Sequence, residues 1–206
     1  MDMCNTPPYP LESLIPYLDG RIRETACGKH NYLGKALELV GYSVTATDIQ
    51  DGVNFFDIKS LESDEIQVTN PPYGIKYQWV EHSFKLQRPF ALLLPVEARA
   101  MFGSLVRKYG DIEILYLHPR VDFDMPNEGL WSSAQFPVAW FCWQLLPKLA
   151  MDAEMHKPKR TQVRWVLKRD KITGELKPIR QTGYCRSIMT PVAWDKHRQK
   201  FIYSDT

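Results

Sequence analysis

The stretch Ile66-Gln67-Val68-Thr69-Asn70-Pro71-Pro72-Tyr73-Gly74 decides the fold. Its first four residues are mostly β-branched and indicate a buried strand. The residues from Asn70 onward therefore follow the carboxyl end of a strand, which is where open α/β sheets bind their ligands. The two prolines fix the backbone and remove two N–H donors, so carbonyl oxygens there have no neighbouring donor.

A rigid group of hydrogen-bond acceptors beside an aromatic ring follows this strand. Asn70 contributes a side-chain oxygen, Pro71 a main-chain oxygen and Tyr73 an aromatic face. A planar base with an exocyclic amino group fits this arrangement, because its two N–H donors meet two acceptors while its ring stacks on Tyr73. The alternative is an ordinary Pro-Pro turn between a strand and a helix, so a cofactor site is needed at the same edge.

A glycine-containing turn earlier in the chain is a candidate cofactor loop. A strand that begins at Arg21 runs into Glu24-Thr25-Ala26-Cys27-Gly28, and apolar residues between 33 and 40 have the spacing of a helix. Gly28 permits a ligand to approach the backbone closely. The N-terminus of the following helix presents N–H groups that suit a carboxylate. The sequence therefore predicts a ligand at the carboxyl end of this strand.

An acidic residue ends the next predicted strand. Asp48 follows the β-branched run 43–47, and it lies about twenty residues after Gly28, the interval at which dinucleotide sites place an acid for ribose hydroxyls. The alternative is a surface aspartate in the turn 48–52. Asn54-Phe55-Phe56-Asp57 comes next, where the two aromatic rings are either a wall of the site or part of the core.

The remaining segments complete an alternating pattern of strands and helices. Strands are predicted at 90–95, 112–117 and 138–143, and helices at 79–86 and 97–109. Strands separated by helices favour a mostly parallel sheet, whereas two late strands without a helix between them favour an antiparallel finish. The fold class is therefore α/β, a doubly wound and Rossmann-like sheet with an antiparallel last strand.

The tetrapeptide 70–73 resembles the Asn-Pro-Pro-Tyr signature of the S-adenosylmethionine-dependent amino-methyltransferases, which include the adenine-N6 DNA methyltransferases. The resemblance covers residues 6–147 and implies the seven-stranded methyltransferase sheet. It implies transfer of a methyl group from S-adenosyl-L-methionine to the N6 amino group of an adenine flipped out of DNA. The implied catalytic residues are Asn70, Pro71, Pro72 and Tyr73, and the implied cofactor-binding residues are Glu24, Ala26, Cys27, Gly28, Asp48, Phe55, Asp57 and Asn70.

The sequence departs from this family's pattern in the cofactor loop. Thr25 stands where the family has proline, and His30 stands where a second glycine is usual. Either Asn54 or Asp57 occupies the position of a further acid. Four alternatives stay open: a methyltransferase acting on cytosine N4, on RNA adenine or on protein glutamine, and a catalytically silent DNA-binding relative.

The charge is divided unevenly along the chain. Residues 1–147 hold 12 Lys+Arg and 18 Asp+Glu, a balance of −6, whereas residues 148–206 hold 14 and 6, a balance of +8. The sequence therefore predicts a methyltransferase domain at 1–147 and a basic extension at 148–206, with a hairpin and possible DNA contacts. A solvated basic face is the alternative. The candidate phosphate contacts are Arg120, Arg164, Lys168, Arg169 and Lys171.

The rest of the composition argues against several classes of protein. The four scattered cysteines suggest neither zinc nor disulfides, and no metal site is expected. No apolar run is long enough to cross a bilayer, and residues 1–5 do not resemble a signal peptide. A cytoplasmic location is the expectation.

Overall fold

A central sheet of seven strands organises the computed structural model, which describes residues 5–125, 130–133, 136–155, 162–169, 176–183 and 190–203. The strands lie side by side in the order β2-β1-β3-β4-β8-β5-β9. They are β1 (Arg21–Glu24), β2 (Val44–Ala46), β3 (Glu65–Thr69), β4 (Phe90–Pro95), β5 (Glu113–His118), β8 (Val138–Trp143) and β9 (Ala150–Glu154).

Strand direction confirms the predicted class of sheet. The pairs β1–β2, β1–β3, β3–β4 and β5–β9 are parallel. β8 is antiparallel to both of its neighbours, β4 and β5. The fold is thus a mixed α/β, Rossmann-like sheet with one antiparallel strand, as expected for the methyltransferase fold. β9 was not predicted, and it adds an outer parallel strand after the antiparallel one.

Helices cover the sheet on both faces. They are α1 (Tyr32–Val40), α2 (Lys76–Lys85) and α3 (Gly103–Tyr109). One buried cluster joins Leu33 and Leu37 of α1 to the sheet, and a second joins Phe84 of α2 and Leu105 of α3 to it. Because α1 packs in a different cluster from α2 and α3, both sheet faces are buried. This explains why β3, β4 and β8 are buried along their whole length.

Local sequence explains where α1 ends, and two of the helical segments differ in type from a regular α-helix. Gly41 has φ +114° and donates to the carbonyls of Leu37 and Glu38, which closes the last turn of α1. The helix predicted at 97–109 is a 3-10 helix over Val96–Phe102 followed by α3. Two 3-10 turns, Tyr9–Ser13 and Ile15–Tyr17, precede β1.

Three smaller strand pairs lie outside the sheet. β6 (Asp122–Met125) pairs with β7 (Leu130–Ser133), so part of the long link after β5 is folded. β10 (Gln162–Arg169) pairs antiparallel with β11 (Leu176–Gly183), which is the hairpin predicted from sequence. β12 (Ala193–Asp195) pairs with β13 (Lys200–Ile202).

Packing continues across the predicted domain boundary after residue 147. β9 belongs to the central sheet, and Phe201 of β13 is 6% exposed within the same cluster as α1. The backbone N–H of Phe201 donates to Glu12 at 2.8 Å. These segments of the extension are therefore built into the body, and the two-domain division stays a prediction. Within the part of the chain that the structure describes, no helix has the length and hydropathy of a membrane span.

Candidate active site

A pocket lies at the carboxyl ends of β1 and β3, the two central strands that carry the predicted motifs. It encloses about 330 Å³ between atoms, part of which is open to solvent. The structure brings five predicted residues together here, and four unpredicted residues complete the wall. The lining residues are Asn5, Thr6, Glu24, Ala26, Cys27, Gly28, Tyr32, Leu33 and Asn70.

Glu24 forms the buried floor of this pocket. Its side chain is 0% exposed, and Oε1 accepts from the backbone N–H of Ala26 at 3.0 Å and from the Thr69 hydroxyl. Among the described residues, Oε2 has no hydrogen-bond partner although it is buried. Burial raises the pKa of Glu24 to about 7, against the lowering effect of its hydrogen bond from Thr69. The floor therefore carries a carboxyl oxygen that is available to a donor.

Asp48 holds the cofactor loop in place. Its Oδ2 accepts from the N–H of Gly28 at 2.8 Å, and its Oδ1 accepts from the N–H of Gln50 at 2.9 Å. The side chain is 6% exposed and is not part of the pocket lining. The bonds seen here are to the loop backbone, so a bond from Asp48 to ribose hydroxyls stays a prediction.

The loop itself is shaped by Gly28. Gly28 has φ +61°, the left-handed region that favours glycine, and an added Cβ would meet no atom within 4 Å. The loop is thus open towards a ligand. Cys27 beside it has a pKa raised to about 11, chiefly by burial and then by the charges of Glu24 and Asp48. Its thiol is therefore protonated at neutral pH and is no nucleophile. His30 is exposed and its ring lies 5.2 Å from that of Tyr32.

Asn70 lies at the pocket wall, directly after β3. Its Nδ2 donates to the hydroxyl of Thr6 at 2.7 Å. Its Oδ1 is buried and has no hydrogen-bond partner among the described residues. Pro71 is buried, and no described donor reaches its carbonyl oxygen, whereas the Pro72 carbonyl accepts from the N–H of Ile75 at 3.2 Å. Of the two acceptors expected from sequence, Asn70 Oδ1 lies on a residue of the pocket wall, whereas Pro71 does not line the pocket.

Tyr73 begins a 3-10 turn over Tyr73–Ile75 and is half-buried. Its ring meets Phe136 in an edge-to-face arrangement, with the ring centres 5.9 Å apart and the planes at 61°. Phe136 was not assigned to the site from sequence. It lies two positions before β8 and is distant from Tyr73 along the chain, so no local pattern connects the two residues. Together the two rings form an aromatic corner, and neither of them lines the pocket.

Phe55 and Asp57 do not line the pocket. Phe55 is 3% exposed and stacks on Trp79 of α2 with ring centres 4.3 Å apart. It belongs to the core, which was the alternative interpretation of this aromatic pair. Asp57 is exposed at the end of the 3-10 turn, and Asn54 caps the start of that turn by accepting from the N–H of Phe56 at 3.2 Å.

The predicted phosphate contacts are spread over the molecule. Arg120 is exposed after β5. Arg164, Lys168 and Arg169 lie on β10, where Lys168 is directly opposite Lys177 of β11. Lys171 lies outside the described residues.

The buried polar side chains of β3 that bond to the end of β1 were also not identified from the sequence. Gln67 is 1% exposed and donates to the Thr25 hydroxyl at 2.9 Å. Thr69 is fully buried, and its hydroxyl donates to the carboxylate of Glu24. A signal was present in the sequence, since polar residues at two positions of an otherwise buried strand require partners. The partner strand could not be read without the sheet order.

Comparison with known proteins adds little to this geometry. No family model matches the sequence, and no curated protein matches it. A crystal structure of Thermoplasma acidophilum 1320 is similar at 16% identity, covering 62% of this chain and 80% of that chain with a TM-score of 0.41. A similarity of this size carries no argument about function. The fold therefore rests on strand order, and the site rests on the contacts described above.

Proposed function

We propose that this protein is an S-adenosyl-L-methionine-dependent methyltransferase that acts on the N6 amino group of adenine in DNA. One observation carries the proposal: Asn70 lines the same pocket as Glu24 and the Gly28 loop, and its buried oxygen has no partner among the described residues. A buried acceptor without a donor costs stability unless a ligand satisfies it. An exocyclic amine supplies a donor of that kind.

The residues at the pocket fit the amino-acid end of the cofactor. Glu24 Oε2 is a buried acceptor that suits an ammonium group, and the Gly28 loop leaves space where a side chain would otherwise stand. When bound, S-adenosyl-L-methionine supplies an electrophilic methyl group. We assign Glu24, Ala26, Cys27 and Gly28 to its binding, with Asp48 acting through the loop that it holds. Phe55 is assigned to the core.

The chemistry that the chain supplies is orientation of the amine. Its lone pair is conjugated into the ring, which makes the nitrogen a poor nucleophile. The Asn70 side-chain oxygen and the Pro71 carbonyl each accept one N–H, which favours a pyramidal nitrogen with its lone pair free to attack. Catalysis then comes from positioning and electrostatics, without a strong base. Tyr73 and Phe136 hold the flipped base on their aromatic faces.

Contact with DNA is assigned to the basic hairpin β10–β11. The register places Lys168 directly opposite Lys177, so two basic residues share one position of the hairpin. Basic residues of this kind suit contacts to phosphates. The +8 balance of residues 148–206 supports the same assignment.

Substitutions within the tetrapeptide test the proposal. Asn70→Ala should lower the single-turnover rate of methyl transfer to adenine-containing DNA by on the order of a hundredfold, because it removes one acceptor that shapes the transition state. Tyr73→Ala should weaken capture of the base by about 1–3 kcal/mol, whereas Tyr73→Phe retains the ring face and should be tolerated. Mass spectrometry of the methylated nucleosides identifies the product.

For each expected result, a different outcome would contradict the mechanism. Near wild-type turnover in Asn70→Ala, or equal damage in Tyr73→Phe and Tyr73→Ala, contradicts the assigned roles. Methylated cytosine, RNA or glutamine in parallel incubations would replace adenine as the substrate. Absence of cofactor binding by calorimetry would identify a silent relative.

A further inference from the structure

A hydrogen bond from outside the tetrapeptide holds the Asn70 side chain. Asn70 Nδ2 donates to the Thr6 hydroxyl at 2.7 Å, although the two residues are distant in the sequence. Thr6 is 6% exposed, so water has little access to replace this partner. The other end of the amide, Oδ1, is the end without a partner among the described residues. Nδ2 of the amide is therefore bonded to Thr6, whereas Oδ1 remains as an acceptor.

The segment that carries Thr6 is itself held at several points. Asn5 and Asp124 exchange two backbone hydrogen bonds of 2.8 and 3.0 Å, and the Asn5 side chain donates to the Asp124 carboxylate at 2.9 Å. Tyr9 is fully buried and its hydroxyl accepts from the N–H of Asp122 at 2.7 Å. The indole of Trp140 donates to the Pro10 carbonyl at 3.0 Å.

These contacts make the segment 5–10 a fixed support for Asn70. It is anchored to β6 on one side of Thr6, and to β6 and β8 on the other. A side chain held on both sides in this way has little freedom to move away from its partner. The hydroxyl position is therefore set by the fold rather than by Asn70.

We propose that Thr6 is a positioning residue: it holds the amide nitrogen of Asn70 so that the amide oxygen faces the amine of the substrate. The inference rests on the proposed function for the identity of that amine. An amide turned by 180° would present N–H donors to an amine that needs an acceptor, and the two donors would repel each other. In the structure the Thr6 hydroxyl accepts from Nδ2, and this bond holds the amide in the orientation that is productive.

A kinetic comparison of two variants tests the role. Thr6→Val replaces the hydroxyl by a methyl group of similar size, and it should lower the single-turnover rate at saturating cofactor by about tenfold, the loss expected for one hydrogen bond. Thr6→Ser retains the hydroxyl and should restore the rate to within about threefold of wild type, since the same bond can form. A role in packing alone would give the opposite order, because valine fills the site better than serine.

A measurement without turnover tests the contact itself. The chain has five asparagines, so spectra of protein labelled with ¹⁵N-asparagine show five side-chain amides, and the Asn70→Ala spectrum identifies the resonances of Asn70. Its Nδ2 protons should show a nuclear Overhauser effect to Thr6 and should shift more in Thr6→Val than in Thr6→Ser. This arm is independent of the substrate.

The two arms separate failure of this inference from failure of the proposed function. If wild-type protein methylates no adenine, the proposed function is wrong, and the amide resonances still decide whether Thr6 orients Asn70. If adenine is methylated but Thr6→Val retains the wild-type rate, or Thr6→Ser is as slow as Thr6→Val, the positioning role is overturned. Amide protons of Asn70 that are unaffected by Thr6→Val overturn it as well.

Discussion

Glu24 makes the stability of the protein depend on pH. Burial raises its pKa to about 7 from an ordinary value of 4.5. The folded protein therefore binds this proton more tightly than the unfolded chain does. The stabilisation is complete below about pH 4.5 and is lost as the pH rises through 7. The pKa of Glu12 is also raised to about 7 by burial, so it acts in the same direction.

The unfolding free energy of the wild-type protein should fall between pH 5 and pH 8. We expect this fall to be about 3 kcal/mol smaller in Glu24→Gln. Glutamine retains an oxygen for the Ala26 N–H but cannot ionise. Urea titrations at the two pH values measure the difference. Glu12→Gln is a matched variant, which should reduce the same fall independently. A fall of wild-type size in Glu24→Gln would mean that this carboxyl is not the group that titrates.

Asp48 holds the backbone of the candidate cofactor loop by two hydrogen bonds. Removing its two acceptor oxygens leaves the N–H groups of Gly28 and Gln50 without their partner. Asp48→Ala should therefore weaken binding of S-adenosyl-L-methionine by about 1.5–3 kcal/mol in calorimetry. Asp48→Asn retains one acceptor and should lose less. Unchanged affinity in a variant with a wild-type circular dichroism spectrum would contradict any part for Asp48 in the site.

At the scale of elements, the 3-10 turn over Phe55–Asp57 depends on α2 for its place. Phe55 stacks on Trp79 and its ring also meets His82 edge-on at 4.7 Å. Phe55→Ala should therefore cost about 3–5 kcal/mol of unfolding free energy, whereas Phe55→Leu should cost less. Cofactor affinity should be retained in Phe55→Leu. If Phe55→Ala remains stable yet loses cofactor affinity, Phe55 belongs to the wall of the site and not to the core alone.

Elements with a strong local signal could be predicted from sequence, whereas those fixed by distant partners could not. Three of the four residues in the run 66–69 are β-branched and the run 90–95 is continuously apolar, and both runs are strands inside the sheet. β9 alternates exposed and half-buried residues and includes Asp152 and Glu154, so nothing local marks it as part of the sheet. Its pairing with β5 supplies its structure.

The residues of the candidate site also fall into two groups, those with a local sequence signal and those without one. Gly28 and Asn70 were predicted because each comes after a strand whose carboxyl end was recognisable, whereas Glu24 was implied by the family resemblance. Thr6 and Phe136 reach the site through contacts that span most of the chain. No spacing rule connects residues that are brought together only by the folded sheet.

At the scale of the whole molecule, the charge division predicts how DNA binding responds to salt. Each phosphate neutralised contributes about −0.9 to the slope of log K against log salt. Replacing four of the five basic residues that lie on β10 and β11 by glutamine should therefore reduce the slope by up to about 3.6. Fluorescence anisotropy with labelled duplex DNA measures it. The four are Arg164, Lys168, Arg169 and Lys177.

A control with the same change in charge distinguishes local contact from net charge. Four exposed basic residues of the acidic body, replaced together by glutamine, should leave the slope nearly unchanged. These are Lys35, Lys59, Lys85 and Arg107. Equal slopes for the two variants would show that the hairpin is a solvated face.

The two outer strands of the sheet influence how the protein behaves when it is concentrated. β2 has only three residues, which offers a short template for another strand. At the other side, β9 exposes Asp152 and Glu154, and a second copy pairing there would bring carboxylates against carboxylates. Short strands and charged edges are how natural sheets avoid adding strands from neighbouring molecules. Growth of aggregates through either edge of this sheet is therefore disfavoured, most strongly at low salt, where the repulsion is least screened.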